Sequence, residues 1–161
     1  MNWKDRLKEI KTEAQASRKR KKEEALELCS QVSELIDASE DLAREFSSVS
    51  RTKVRLFNQR HKEMDEATGK KYHTGGIILE VLKPKTSISG WFKSEEPEEK
   101  FIFQVEFPHP EAIRRLEPFE DKIRILYSST EKEITLKEFS PEILKIHLEE
   151  AYSYYLSKLK K

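Results

Sequence analysis

Only one cysteine, Cys29, occurs in 161 residues. That excludes a disulfide framework within the chain and fits a reducing compartment. Glycine is scarce too: there are four, and three of them fall inside the stretch GKKYHTGG, Gly69–Gly76. From Asn2 to Ser48 there is neither proline nor glycine, so nothing breaks a helix there. No apolar run approaches the ~20 residues that a membrane span needs. The start, MNWKDRLKEI, lacks the apolar region of a secretory signal. An excess of one charge is also missing. The net charge of +1 supplies no overall attraction to nucleic acid or membrane, so the layout of charge has to decide. These absences point to a cytoplasmic protein without a membrane span.

Charge itself is abundant. Charged residues are 38% of the chain and hydrophobic ones 36%, a balance that suits a small core and a long solvated helix. The length favours one domain with a protruding element. Residues 1–48 read as that element. Trp3, Leu7, Ile10 and Ala14 are spaced four, three, four. A second series runs through Leu28, Val32, Leu35, Leu42, Phe46 and Val49, with Ser39 filling the gap in register. Such spacing predicts a coiled-coil or helix-packing stripe. Between the two series, SRKRKKEE offers nothing to bury. A single helix of about 70 Å is favoured over two helices meeting near Ser17, because no breaker is present.

The charge on this element is lopsided. Residues 1–22 carry nine Lys/Arg against three acids, a net +6; residues 23–46 carry eight acids against Arg44, a net −7. Two antiparallel copies would set basic half on acidic half, and charge across a helix seam selects partner and orientation. The expectation is a homodimer with Leu28, Val32, Leu35 and Leu42 in its seam. The alternative is a helix folded back on its own domain.

Residues 49–161 read as a small sheet domain. KFIFQVEF puts Phe101, Phe103, Val105 and Phe107 on one face and Gln104 and Glu106 on the other. TKVRLFNQR alternates as well, GIILEVLK reads as a central strand, and DKIRILYS and KEITLKEF complete the set. Period-two alternation predicts half-buried antiparallel strands. PHPEAIRRL predicts a short helix at Pro110. Ser140 as N-cap, Pro141 and Glu142 start a C-terminal helix whose apolar face holds Leu144, Leu148, Ala151, Tyr152, Tyr155 and Leu159. The fold class is α+β: a long N-terminal helix, four or five antiparallel strands and a closing amphipathic helix.

Little looks like chemistry. GKKYHTGG has the wrong spacing for a phosphate loop and runs into a strand rather than a helix, so it reads as a hairpin turn. His61, His73, His109 and His147 are scattered, without a pair at helical ligand spacing, and read as surface residues. Cys29 in an acidic helix makes a dull nucleophile. No catalytic, metal or cofactor site is assigned. Two basic segments remain. One is Arg18, Lys19, Arg20, Lys21 and Lys22. The other is residues 51–71, with Lys53, Arg55, Arg60, Lys70 and Lys71. Trp91 and Phe92 sit in a polar loop and are candidate partner-binding residues, tryptophan being enriched where binding energy concentrates. The expected function is a non-enzymatic protein–protein interaction or adaptor module, dimeric through its N-terminal helix. Nucleic-acid binding through the two basic segments is the alternative.

Overall fold

The computed structural model describes residues 2–57, 62–74, 77–84 and 101–159. Forty-eight residues form one continuous helix, α1, Trp3–Ser50. Asn2 caps it, its Oδ1 accepting from the Asp5 N–H at 2.9 Å. The far end closes on Arg51, which takes a left-handed conformation with φ 62°. Hydroxyls stabilise that unusual cap. Ser50 Oγ donates to the Phe46 carbonyl at 2.9 Å and lies 2.8 Å from Thr52 Oγ1, and Ser47 Oγ donates to the Thr52 carbonyl.

Five strands form an antiparallel sheet: β1 (Lys53–Phe57), β4 (Ile77–Leu82), β5 (Phe101–Phe107), β6 (Lys122–Tyr127) and β7 (Thr130–Thr135), in the order β1-β4-β5-β6-β7. The expected alternation sorts the two faces from Phe103 onward; at the start of β5 the register shifts opposite Val81 and Leu82, leaving Phe101 half-buried and Ile102 buried. The register aligns Leu56, Leu79, Val105 and Ile125 across four strands, and Val54, Val81 and Phe103 across three. Ile77, Leu79, Val81, Phe103, Val105, Phe107, Ile123 and Ile125 are buried on this side. The opposite side carries a ladder of charge. Arg55 bonds Glu80, Arg124 bonds Glu106 and Glu131, and Lys122 bonds Glu133. One face packed and one solvated is what antiparallel sheets permit.

Helices cover the apolar face. The C-terminal helix α3, Pro141–Leu159, begins as its sequence dictates: Ser140 Oγ accepts from the Ile143 N–H at 3.3 Å, and Leu144, Leu148 and Ala151 are buried. Leu159, expected on the same face, is 63% exposed, because the helix outruns the sheet. Beside α3 lies the second half of α1, touching it through the edge-on ring pair Phe46–Tyr152 with centroids 5.2 Å apart. Cys29, Val32, Ile36 and Ala43 enter the same core. The sheet domain expected to begin near residue 49 thus draws its core from α1 as well.

Two small elements close the margin of this layer. A hairpin, β2 (Lys62–Met64) and β3 (Lys71–His73), sits apart from the main sheet. A single-turn helix, α2 (Pro110–Arg114), is capped by His109, whose Nδ1 accepts from the Ala112 N–H at 3.3 Å. The described part of GKKYHTGG divides between turn and strand. Gly69, at φ 73°, ends a turn in which its N–H donates to the Asp65 carbonyl at 2.8 Å; Lys71–His73 is strand. The positive φ explains the glycine.

Candidate interaction surface

The first half of α1 leaves the body. Every residue from Trp3 to Glu24 is exposed except half-buried Ser17, and burial begins at Ala25. The projecting arm is about 33 Å long at the helical rise. Along it Trp3 is 80% exposed, Leu7 58% and Ile10 46%. These residues repeat a pattern found in the core. Ala25, Cys29, Val32 and Ile36, all buried, follow Trp3, Leu7, Ile10 and Ala14 at the same spacing, twenty-two positions on. Twenty-two residues is about six turns, so the two sets share one face of the helix. The face that the sheet covers downstream is the face left open upstream.

Where the arm meets the body there is a groove of about 300 Å³. Lys21, Glu24, Ala25 and Leu28 form one wall; Ile113 of α2, with Leu116, Glu117 and Phe119 after it, forms the other. Leu116 is 51% exposed and Phe119 38%. Leu116 also sits at φ 61°, a conformation that costs a non-glycine residue about 1–2 kcal/mol. A strained backbone here holds an apolar side chain in solvent.

Leu28, Val32, Leu35 and Leu42 lie elsewhere than in a free seam. Val32 is fully buried, and the three leucines pack against the chain's own core. Only Leu28 also lines the groove. Of the basic candidates, Arg18, Lys19, Arg20, Lys21 and Lys22 are all exposed on the arm. In the second segment two of the five candidates, Arg55 and Lys70, bond acids, as does the neighbouring Lys62. Lys70 bonds Glu27, Lys62 bonds Asp37, and Arg55 bonds Glu80 while its guanidinium stacks 3.8 Å from the centre of the Phe57 ring. Lys53 and Lys71 are exposed. Arg60, Trp91 and Phe92 lie outside the described residues.

His73 and His147 correct the surface reading, His109 is the half-buried cap of α2, and His61 lies outside the described residues. His73 is fully buried. Its Nε2 lies 2.9 Å from Asp37 Oδ1, Asp37 Oδ2 accepts from Lys62 Nζ at 2.7 Å, and the His73 backbone N–H donates to Ser33 Oγ at 3.0 Å. Serine, histidine and aspartate therefore meet, but not as a catalytic relay. The Ser33 hydroxyl accepts from the main chain of His73, whereas a nucleophile would have to face the imidazole. The cluster clamps the hairpin to α1. The neighbouring Tyr72 O–H donates to Glu63 Oε2 at 2.9 Å, and Arg114 stacks over its ring. His147 is mostly buried beside Tyr127. Burial, helped by Lys132, holds it below its ordinary 6.5, against the pull of Glu150.

Cys29 is dull for a reason beyond acidic neighbours. Burial pushes its thiol up to about 11, against a smaller opposing effect from Arg114. Burial also lifts the Tyr127 phenol to about 12, and its O–H donates to Glu150 Oε2 at 2.6 Å. Among the described residues no three His, Cys, Asp or Glu side chains gather as metal ligands would, and no helix is long and apolar enough to cross a membrane.

Comparison of the chain with protein-family models, with curated proteins and with solved structures finds no match.

Proposed function

We propose that the protein is a non-enzymatic protein–protein interaction module that dimerises through the projecting half of α1. One observation carries this reading: Trp3, Leu7 and Ile10 form an exposed apolar stripe on an arm whose residues from Trp3 to Glu24 are exposed, Ser17 apart. Exposed apolar residues arranged in a stripe, with charge around them, mark a contact surface. The stripe relevant to dimerisation is then Trp3–Ala14, since Val32 and its neighbours belong to the core. The buried, protonated thiol of Cys29 is compatible with a cytoplasmic setting.

The test is mass by light scattering across a size-exclusion column. The expected wild-type result is a dimer at micromolar concentration, and Ile10→Glu should give a folded monomer whose melting temperature no longer depends on concentration. A wild-type monomer, or a mutant dimer, refutes dimerisation through the arm.

A second reading, nucleic-acid binding, has its own observation: five consecutive basic residues, Arg18–Lys22, are all exposed. They point around the helix rather than along one face, which weakens it. Phosphate contacts release counterions, so duplex binding that falls steeply with salt and is abolished by reversing these five charges would favour this reading.

A further inference from the structure

We infer that the arm's partner is a second copy of this chain in one register: the arms lie antiparallel, and each Trp3 enters the groove at the base of the other arm. This rests on the proposed dimerisation and adds to it an occupant, an orientation and a register.

Sterics choose the orientation. From Cys29 onward the stripe face of α1 is packed into the chain's own core, and α2 with Leu116 and Phe119 flanks the entry at Ala25. A helix laid on the arm's stripe must therefore stop near Leu28. In a parallel pair the second copy's body would arrive where the first body already stands. In an antiparallel pair each body lies beyond the other arm's tip.

Heptad geometry then fixes the register. With Leu7, Ala14, Lys21 and Leu28 at position a, Trp3, Ile10, Ser17 and Glu24 fall at d. Antiparallel layers join a to d: Trp3 with Leu28, Leu7 with Glu24, Ile10 with Lys21, Ala14 with Ser17. The first three layers place the apolar tip of one arm against Lys21, Glu24 and Leu28, which are groove residues of the other. Leu116 and Phe119 complete a pocket for the indole, and the stems of Lys21 and Glu24 cover Leu7 and Ile10. This accounts for the groove's exposed apolar residues and for the exposed stripe with a single contact.

Charge agrees. The flanking g positions meet across the pair, and they match Arg6 to Glu27 and Glu13 to Arg20. Glu27 already accepts from Lys70, and a carboxylate has room for a second donor. The e positions bring Lys11 near Arg18, an opposing pair that keeps the association weak.

Charge reversal at Glu13 and Arg20 is the test, because both side chains are exposed on the arm and distant from the core. Glu13→Arg and Arg20→Glu should each weaken the dimer roughly tenfold at low salt, since two symmetry-related pairs turn from attraction to repulsion. The double variant should restore it. Arg20→Glu is decisive, because it lowers the arm's positive charge and would strengthen a dimer opposed only by general repulsion. A dimer that Arg20→Glu strengthens, or that the double variant leaves as weak as the singles, overturns the register while dimerisation stands. A wild-type chain that stays monomeric at high micromolar concentration overturns both and leaves a foreign helix as the groove's occupant.

Discussion

At Ser39 the chain puts a hydroxyl where the helix stripe calls for an apolar residue. Its Oγ is buried and, among the described residues, has no hydrogen-bond partner. A buried unsatisfied hydroxyl costs free energy, and alanine is the better helix former. Ser39→Ala should therefore stabilise the protein by about 1 kcal/mol, read from the denaturation midpoint at constant slope. A destabilised variant would mean that the hydroxyl has a partner. His147 makes a different single-residue prediction. Its pKa is lowered on folding, so the unfolded chain takes up the proton first as pH falls. Its contribution is complete above the ordinary value of 6.5 and is lost as pH drops through the lower folded value. Glu150, also lowered, titrates below 4.5 with the same sign, in a separate window. Thermal midpoints should therefore decline below about pH 6.5, and His147→Gln should flatten that part of the profile. An identical slope in the variant would assign the decline to another group.

Between elements, the main polar tie runs from α1 to the β2–β3 hairpin through Ser33, Asp37, Lys62 and His73. Asp37→Ala removes an acceptor shared by His73 and Lys62. Local opening of the hairpin should become easier by about 1–3 kcal/mol, the range for a buried polar group that loses its partner. Faster hydrogen exchange at Tyr72 and His73, with α3 unchanged, is the expected readout, and unaltered protection there would show that packing alone holds the hairpin. This tie was not legible in the sequence. His73 and Asp37 lie thirty-six positions apart, and only the fold brings them together. The elements themselves were legible where periodicity is local. The alternation of Phe101–Phe107, the Ser140-Pro141-Glu142 start of α3 and the unbroken run to Ser48 each determine their own conformation. Leu28, Val32, Leu35 and Leu42 show the limit. A stripe at helical spacing says that something covers that face, and a chain's own sheet satisfies it as well as a second copy. Leu116 and Phe119 carry no pattern at all, so the groove's second wall could not be read before the structure.

At the scale of the molecule, the arm and the body are one helix with two different supports. The body half of α1 is ordered by burial of Cys29, Val32 and Ile36. The arm half is held, among the described residues, by local interactions such as the Asn2 cap and the Arg6–Glu9 ion pair, and a helix of that kind is marginal in water. If the arm orders by pairing with another arm, its order depends on concentration, as any association-linked stability does. Amides from Lys4 to Arg20 should exchange quickly in dilute protein and slowly in concentrated protein, while those from Val32 to Ala43 stay protected throughout. Mass spectrometry after pulsed exchange reads both segments in one experiment. The body segment serves as an internal control, since its protection reports global unfolding alone. Arm amides that exchange at the same rate at every concentration would separate arm order from self-association. The exposed stripe would then have to be covered by a different protein.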